Sequence, residues 1–443
     1  MPRGLYTIDI SFEEPTLTHY GGMVLFQQFC RKLDLKRVFQ RYIPWQRRDS
    51  TYHGPELLLC LLYSMIAGLK RVSDTRILAY NRSFQRLLGL TRFPSDTTLR
   101  NFLRVLRPEE LQGLLRVHDL LRARLSAYPR TRTSAIWDFD STVLPLYGWT
   151  IQGARIGYNP KKPRRPSYHP MVSFEGHTHD TVGGLLRPGD TQPITAATRF
   201  FRACQGKLPR YANRKRVTLR LRADAGFYDG DFIQFLDEEQ VGYVIVAKLT
   251  SRLKERTTAL RFRTFRKLGR WQVASTTYQP LRWEHPHRFI VVRRPKPPRE
   301  EERRQLTLWQ FKDFFYHAFV SNLPLTPAAI YRFYTGRANA ELDIRELKEG
   351  LPLGKIPTTR FTANATHFEL VLLAYDLVNW FRRLCLAGSW KTARLHTLRY
   401  ELFMLPARLL TVHHRNVLKL PDRYPHRKRF QQVLAQIRRL RIR

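Results

Sequence analysis

The sequence predicts a mixed α/β protein whose strand-rich central part is flanked by a helical N-terminal region and a helical C-terminal region. Over the first 130 residues, apolar side chains recur at three- and four-residue spacing, which is typical of helices. Residues 131–315 instead combine β-branched and aromatic residues with turn-forming residues, which is typical of strands. The helical spacing returns after Pro327, for which Thr326 is the predicted N-cap.

In the N-terminal region, the sequence predicts three helices most clearly. The segment from Glu56 to Lys70 is nearly apolar throughout and predicts a buried helix. Ser95 or Asp96 is suited to cap the next helix, and a further helix follows from Pro108. The last two helices fit a helix-turn-helix and fit an ordinary helical bundle equally well.

The central region divides into residues 131–250 and residues 251–315. In the first part, two segments form a predicted hairpin that turns at Gly183-Gly184. Next along the chain come a strand that ends near Asp224, a helix and a buried strand. This alternation indicates a mixed sheet. The second part is strand-like and forms either an insertion or an extension of the main sheet.

From Pro327 to the end, the chain is predicted to be helical, with Gly350 and Gly388 suited to end two of the helices. The last segment is set apart by its strongly basic composition. The predicted organisation therefore has five segments: 1–130, 131–250, 251–315, 316–390 and 391–443.

The chain carries a large positive charge, since 77 Lys and Arg face 36 Asp and Glu, for a formal net charge of +41. Residues 1–130 hold 21 basic and 11 acidic residues, residues 251–315 hold 17 and 6, and residues 381–443 hold 16 and 2. A long polyanion that touches several domains explains this spread better than one charged tail does. Nucleic acid is the leading predicted partner, and an anionic membrane surface is second.

Composition also excludes several classes of protein. Hydrophobic residues make up 43% of the chain, which argues against a disordered basic tail. The longest apolar run, Leu57 to Ala67, is shorter than the roughly 20 residues that span a bilayer. Acidic residues interrupt any signal-peptide core at the N-terminus. The four scattered cysteines form no CxxC pair, so we expect a soluble cytoplasmic protein without a thiolate zinc site.

Aspartates stand out at the ends of two predicted strands. Alternation places Ile136, Asp138 and Asp140 on one strand face, where a charge costs several kcal/mol unless it is paired or holds a metal. Asp224 follows another strand, and ligand-binding groups of α/β sheets gather at the carboxyl ends of strands. Each aspartate is also consistent with ordinary turn chemistry, in which its side chain caps the turn after the strand.

A polar strip marks the predicted helix after Pro327. At about 100° per residue, four side chains fall within an arc of roughly 60°. They are Tyr334, Arg337, Glu341 and Lys348. Such a strip can be a solvated face, or it can bind a metal through the carboxylate and a phosphate through the cations.

Together these residues resemble the signature of bacterial insertion-sequence DDE transposases. The matching elements are Asp140-Ser141-Thr142, Asp224 followed by Ala225-Gly226-Phe227-Tyr228, and Tyr334-x2-Arg337-x3-Glu341-x6-Lys348. The last is similar to the Tyr-Arg-Glu-Lys signature of the superfamily of insertion sequence four. The segments GYNPKKPRRPSYHP and RFTANATHFELVLLAYDLVNWF resemble its thirteen-eighty subgroup. The resemblance extends from about residue 1 to about residue 400.

The resemblance implies a fold and an assembly. Residues 131–250 and 316–390 would form a ribonuclease H-like catalytic domain, with residues 251–315 as its β-rich insertion. Periodicity and charge add two further expectations, a helical DNA-binding domain over residues 1–130 and a basic helical region over residues 391–443, most of which lies beyond the resemblance. We expect a homodimer when two DNA ends are held together, in bacterial cytoplasm and associated with the nucleoid.

The resemblance also implies chemistry. Metal binding and catalysis are implied for Asp140, Asp224 and Glu341, which would hold two Mg²⁺ or Mn²⁺ ions as hard oxygen ligands. Asp138 is expected beside them. Contacts with DNA phosphates are implied for Tyr334, Arg337 and Lys348. The implied reaction is hydrolytic cleavage of inverted-repeat ends and transfer of their 3′ ends into target DNA.

Several other residues are weaker candidates. A basic loop contributes four cations that would follow DNA phosphates: Lys161, Lys162, Arg164 and Arg165. His169, beside this loop, is a weaker candidate for facing DNA. His177 and His179 are expected to share a strand face in surface or structural roles. The resemblance also implies a DNA hairpin, formed when the 3′-hydroxyl attacks the other strand, and this step would need an aromatic partner for a flipped base. Trp283 and Trp309 are candidates, although an indole in a β-region is more often core.

Three alternative functions remain open from the sequence. A ribonuclease H-like nuclease would cleave DNA without joining it. A domesticated transposase would bind DNA without catalysis. An RNA-associated basic protein would have no need of acidic residues in strand contexts.

Overall fold

The computed structural model describes residues 10–45, 51–125, 134–207, 217–265, 269–296, 309–311 and 313–441. The chain forms two compact units, one comprising residues 1–125 and 346–443 (the helical unit) and the other residues 126–345 (the sheet unit). Every helix in the described ranges is too short or too polar to traverse a lipid bilayer.

The elements are numbered in chain order. The helices are α1 (Met23–Lys32), α2 (Leu35–Tyr42), α3 (Gly54–Ala67), α4 (Arg82–Leu87), α5 (Asp96–Val105), α6 (Pro108–Leu125), α7 (Ala197–Gln205), α8 (Gly230–Glu238), α9 (Ser251–Thr258), α10 (Pro327–Thr335), α11 (Ala338–Arg345), α12 (Phe361–Cys385), α13 (Leu395–Leu398) and α14 (Arg427–Arg439). The strands are β1 (Leu17–Thr18), β2 (Ser134–Ser141), β3 (Leu144–Pro145), β4 (Ser167–Tyr168), β5 (Met171–Glu175), β6 (Thr181–Leu185), β7 (Thr218–Ala223), β8 (Gly242–Val246), β9 (Arg263–Thr264), β10 (Gln272–Tyr278), β11 (His287–Pro295), β12 (Trp309–Phe311), β13 (Phe314–Ser321), β14 (Ala407–Val412) and β15 (Arg415–Lys419).

The helical unit contains the helices predicted for the N-terminal region. Helix α3 is almost entirely buried, as its apolar sequence predicts. Ser95 caps α5, because its side-chain oxygen accepts a hydrogen bond from the Thr98 N–H at 3.1 Å. Helix α6 begins at Pro108, as predicted. The 25-residue α12 is the longest helix of the described residues and is buried along most of its length.

The prediction that residues 391–443 are helical is wrong in part. Strands β14 and β15 form an antiparallel hairpin there, and β1 pairs with β14 to complete a three-stranded sheet. The period along β14 is two, since Ala407 and Leu409 are buried while Arg408 is exposed. His413 and His414 close the hairpin with positive φ angles of 46° and 60°, the geometry of a tight two-residue turn.

A buried charged cluster joins α6 to α12. Nδ1 of His118 lies 2.7 Å from a carboxylate oxygen of Glu369, and Nε2 lies 2.7 Å from one of Asp376. A neutral imidazole carries only one N–H, so two such contacts favour the charged imidazolium. Burial and the nearby Arg122 lower the pKa of His118, but the hydrogen bonds to Asp376 and Glu369 outweigh them and leave the pKa raised.

The sheet unit is built on a ten-stranded sheet in the order β6-β5-β2-β7-β8-β13-β11-β10-β9, with β12 beside β13. Strands β2, β7 and β8 run parallel to one another, and the other pairs are antiparallel. Strand β13 pairs with β8, so the described strands of the 251–315 segment extend the main sheet. This is the second of the two predicted alternatives for that segment.

Alternation along β2 assigns its two faces as predicted. Trp137 and Phe139 enter a large aromatic core with Phe201 and helices α7 and α8. Asp138 and Asp140 therefore lie on the opposite face. On that face, Ile330 of α10 packs in a second core with Phe319. The sheet thus has an apolar core on each face, and the acidic residues of β2 lie on the face against which α10 packs.

Strands β5 and β6 form the predicted hairpin, but its turn lies earlier in the chain than predicted. The chain turns over residues 176–180, and Gly183-Gly184 lies inside β6. The Glu175 carboxylate accepts hydrogen bonds from the backbone N–H groups of His177 and Thr178 at 3.0 and 2.7 Å, which stabilises the turn. His177 and His179 are therefore turn residues and do not share a strand face.

Candidate active site

Two carboxylates lie at neighbouring strand ends. Asp140 is near the end of β2, and Asp224 follows β7 directly. The two strands are parallel, with Phe139 opposite Ala223, so their carboxyl ends lie side by side. Asp140 is buried and accepts a hydrogen bond from the Ser141 N–H at 2.8 Å, while Asp224 is partly exposed.

The turn after β7 holds the Asp224 carboxylate in place. Its Oδ1 accepts a hydrogen bond from the Gly226 N–H at 2.9 Å. A Cβ at position 226 would lie 2.8 Å from Cβ of Pro193 and 3.0 Å from Oδ1 of Asp224. Glycine is required here because any larger residue would push the carboxylate or Pro193 aside.

The predicted single helix after Pro327 is interrupted. Helix α10 ends at Thr335, and α11 begins at Ala338. Between them the Arg337 N–H donates to the Tyr334 carbonyl at 2.8 Å, a three-residue hydrogen bond that tightens the chain. Tyr334 and Arg337 therefore flank the turn, and Glu341 lies one helical turn further on.

Lys348 lies beyond α11 in a π-helical turn, Glu346–Gly350, which ends at Gly350 as predicted. The wider turn has a five-residue hydrogen bond from the Leu351 N–H to the Glu346 carbonyl at 3.0 Å. This part of the chain belongs to the helical unit. The assignment of Lys348 to one strip with the other three side chains stays a prediction.

Arg337 lies between the carboxylates. Its Nη2 is 2.8 Å from Oδ2 of Asp140, and its Nη1 is 3.6 Å from Oε1 of Glu341. The Arg337 side chain is 5% exposed, whereas that of Glu341 is 68% exposed. Within the described residues, Nε and Nη2 of Arg337 make no hydrogen bond of good geometry, so the contact with Asp140 is an ion pair without an aligned hydrogen bond.

The pKa values show that these groups interact electrostatically. The pKa of Asp140 is raised to about 6, chiefly by burial. Arg337 opposes this shift, and the negative charges of Asp224 and Glu341 contribute to it. Burial lowers the pKa of Arg337, but the charges of Asp140 and its neighbours outweigh it and raise that pKa above its usual range. Burial raises the pKa of Tyr334 to about 12.

The candidate ligands are the carboxylates of Asp140, Asp224 and Glu341, and oxygen ligands of this kind are those that hard divalent cations prefer. Among the described residues, no three carboxylate, imidazole or thiol side chains come close enough together to hold a metal ion. The Arg337 guanidinium instead contacts two of the three. The three carboxylates are thus of the residue type that binds a divalent metal ion, and Arg337 is the cation that lies beside Asp140 and Glu341 in this structure.

Asp138, expected beside the triad, has a different partner. It forms a bidentate ion pair with Arg222 of β7, with distances of 2.6 and 2.7 Å, and both side chains are buried. Arg222 also donates to the Phe333 carbonyl at 2.8 Å, at the end of α10. Burial raises the pKa of Asp138, while Arg222 opposes the shift. Arg222 was not predicted, although alternation in VTLRLRAD places it on the face of the sheet that carries the aspartates.

His179 is a second residue that the sequence did not assign to the site. Its Nδ1 lies 2.9 Å from Oδ2 of Asp343, two residues after Glu341 on α11. The hydrogen bond to Asp343 raises the pKa of His179, against the effect of burial. The contact attaches the Glu341-bearing helix to the β5–β6 turn.

The remaining predicted residues lie elsewhere. The four loop cations are exposed: Lys161, Lys162, Arg164 and Arg165. His169, the weaker candidate for facing DNA, is buried, with Nδ1 2.7 Å from the Thr191 carbonyl oxygen. Trp283 packs on the aromatic core beside Tyr228. The side chain of Trp309 is outside the described part of the chain.

Among the comparisons with known proteins, the match to a family model agrees with the resemblance described for the sequence. The family model described as "Transposase DDE domain group 1" matches residues 4–442. No curated protein sequence matches significantly. Among solved structures, seven chains match. One is a piggyBac transposase synaptic complex with hairpin DNA, which is 13% identical over 87% of this chain and 80% of that chain, with a TM-score of 0.43.

Proposed function

Because the chain belongs to the family of transposase DDE domain group 1, we propose that it is a DNA transposase that binds the inverted-repeat ends of its own element. It cleaves these ends by metal-dependent hydrolysis and transfers the 3′ ends into target DNA. The proposal extends to the ribonuclease H-like fold of the sheet unit and to the thirteen-eighty subgroup of the superfamily of insertion sequence four.

The observation that carries the proposal is the electrostatic cluster of Asp140, Asp224 and Glu341. Two of these carboxylates lie at adjacent ends of parallel strands, and the charges of the other two raise the pKa of Asp140. These three side chains would hold Mg²⁺ or Mn²⁺. Two such ions, when bound, would activate water or a 3′-hydroxyl and would stabilise the leaving 3′-oxygen.

Arg337 has two tasks in this proposal. In the free protein it neutralises part of the charge of Asp140 and Glu341. On DNA its guanidinium contacts a phosphate near the cleaved end, for which its planar, bidentate geometry is suited. Tyr334 and Lys348 would contact the same backbone, and the exposed loop cations would follow it further away.

Two ion pairs position the acidic residues. Asp138 and Arg222 connect β2, β7 and α10, on which the site is built. His179 and Asp343 hold α11, which carries Glu341. We further propose that the protein forms a homodimer on paired DNA ends and acts in the bacterial cytoplasm at the nucleoid. The net charge of +41 suits DNA, a polyanion, as the partner.

The test incubates the protein with Mg²⁺, DNA that carries the inverted repeats flanking its gene, and a supercoiled target, with and without EDTA. We expect nicks at the repeat ends and joined products only with the metal. Cleavage without joining would indicate a nuclease instead. Binding of the repeats without cleavage would indicate a domesticated DNA-binding protein.

A further inference from the structure

A loop in the sheet unit combines exposed aromatic rings with basic side chains. Residues 146–166, here the aromatic–basic loop, connect β3 to β4 and begin six residues after Asp140. The loop contains Arg155 and the four cations named above, and it has no Asp or Glu. All five cations are exposed. The loop therefore presents uncompensated positive charge beside the strand that carries the candidate active site.

Three aromatic side chains on this loop are also exposed. The exposed fractions are 75% for Tyr147, 72% for Trp149 and 59% for Tyr158. Trp149 is the one exposed tryptophan among those whose side chains the structure describes. By contrast, Trp283 is partly buried against the core. Trp149 and Tyr158 therefore keep ring surface that a ligand can contact.

The base of the loop is held by hydrogen bonds. The Leu146 N–H donates to the Pro166 carbonyl at 2.8 Å, and the Tyr168 hydroxyl donates to the Gln152 carbonyl at 2.6 Å. A Cβ at Gly157 would lie 2.0 Å from the Gly189 carbonyl oxygen, so the loop backbone packs directly against that segment. The exposed rings thus project from a fixed frame, and little ordering entropy remains to oppose binding.

Two of the loop cations contact Tyr147. Its hydroxyl accepts a hydrogen bond from Nζ of Lys162 at 2.6 Å, and the guanidinium of Arg165 lies 4.8 Å from the ring centroid. The Asn159 side chain accepts a hydrogen bond from the Lys162 N–H at 3.0 Å, which fixes the chain at the basic end. A phosphate and a base could then be bound within one loop.

We propose that the aromatic–basic loop binds unpaired nucleotides of DNA, with Trp149 and Tyr158 stacking on bases and the loop cations holding phosphates. An intact duplex offers phosphates to the cations but keeps its base faces stacked, so it leaves the rings without a partner. An acidic peptide would pair with the cations and likewise leave the rings uncovered. The inference rests on the proposed function in one respect, that DNA is the substrate.

The test measures binding of a labelled oligothymidylate and of a blunt duplex of equal length by fluorescence anisotropy. Trp149→Ala and Tyr158→Ala should each weaken oligothymidylate binding by roughly 5- to 150-fold, the range for loss of one stacked base. Duplex affinity should change less than twofold. The matched control is Tyr400→Ala, since Tyr400 is 79% exposed in the helical unit and should affect neither ligand.

A second variant separates stacking from charge. The double variant Lys161→Ala/Arg164→Ala should weaken both ligands and reduce the salt slope for the oligothymidylate by about 1.4, because two phosphate contacts are lost. The aromatic variants should leave that slope unchanged. Circular dichroism confirms that each variant is folded.

Equal losses for single-stranded and duplex DNA, or no loss with either aromatic variant, would overturn the proposal. Binding of poly-glutamate as tight as that of oligothymidylate would identify a general polyanion site and would overturn it too. The measurement needs no metal and no cleavage. A protein that binds single strands through the loop but never cuts repeat ends would refute the proposed function and leave this inference intact.

Discussion

The ion pair of Asp138 and Arg222 predicts a large and measurable loss of stability. Arg222→Met removes the guanidinium but keeps most of the side-chain length, and it leaves a buried carboxylate at Asp138 without its two hydrogen bonds of 2.6 and 2.7 Å. Breaking a buried pair on one side costs about 3–5 kcal/mol. For a unit of this size, which spans residues 126–345, that corresponds to a decrease in Tm of about 6–20 °C.

Differential scanning calorimetry measures this loss and reports both units of the chain. The double variant Asp138→Asn/Arg222→Met should recover at least half of it, because the uncompensated charge is gone. Arg220→Met is the matched control, since Arg220 is on the same strand face and lies 5.9 Å from the Phe333 ring. That variant should cost no more than about 1 kcal/mol.

The reasoning is refuted if Arg222→Met is within about 1 kcal/mol of the wild type, the range of an exposed ion pair. It is equally refuted if the double variant is no more stable than the single one. Either result would mean that the Asp138 carboxylate is solvated or protonated and that the pair does not hold β2, β7 and α10 together.

Three further predictions concern single positions. His118→Ala should lower the free energy of unfolding by about 3–5 kcal/mol at acidic pH. Because the pKa of His118 is raised in the folded state, its contribution is complete below about pH 6.5 and is lost as the pH rises through that pKa, so urea unfolding across this range should show a shrinking difference. Gly336→Ala would place a Cβ 2.4 Å from Nη1 of Arg222 and should lower Tm, whereas Gly354→Ala, with nothing within 4 Å, should not; thermal unfolding compares them. His179→Ala should slow cleavage of end DNA while leaving its affinity unchanged, because the helix that bears Glu341 loses its attachment; an equal loss of DNA affinity in a gel-shift assay would contradict this role.

Features that depend on near neighbours in the sequence were predictable. Alternation assigned the faces of β2 correctly, because side chains of a strand point to opposite sides whatever the strand packs against. Thr326 caps α10 as expected, with its Oγ1 accepting a hydrogen bond from the Ala329 N–H at 3.3 Å. The sequence likewise predicts that Asp140 and Asp224 lie at strand ends, as they do, but it does not show that the two strands are neighbours.

Features that depend on distant partners were not predictable. Arg222 carries no local sign that Asp138, 84 positions away, is its partner. The sequence predicts His179 on a strand because Gly183-Gly184 favours a turn, whereas the hydrogen bonds of the Glu175 carboxylate place the turn earlier in the chain. The interruption between α10 and α11 arises where the Arg222 guanidinium approaches Gly336, a tertiary contact that helical periodicity does not contain.

The most direct test of the account replaces each acidic residue by its amide: Asp140→Asn, Asp224→Asn and Glu341→Gln. Each variant keeps the shape of the side chain and removes one charge of the cluster. Glu349→Gln is the matched control, because Glu349 is exposed and lies outside the cluster.

The measurement is Mg²⁺-dependent cleavage of DNA that carries the inverted repeats, with gel-shift binding of the same DNA in parallel. The account predicts that each of the three variants loses cleavage and retains binding, while the control retains both. Cleavage at the wild-type rate by any one of the three would contradict the assignment of Asp140, Asp224 and Glu341 as the catalytic carboxylates.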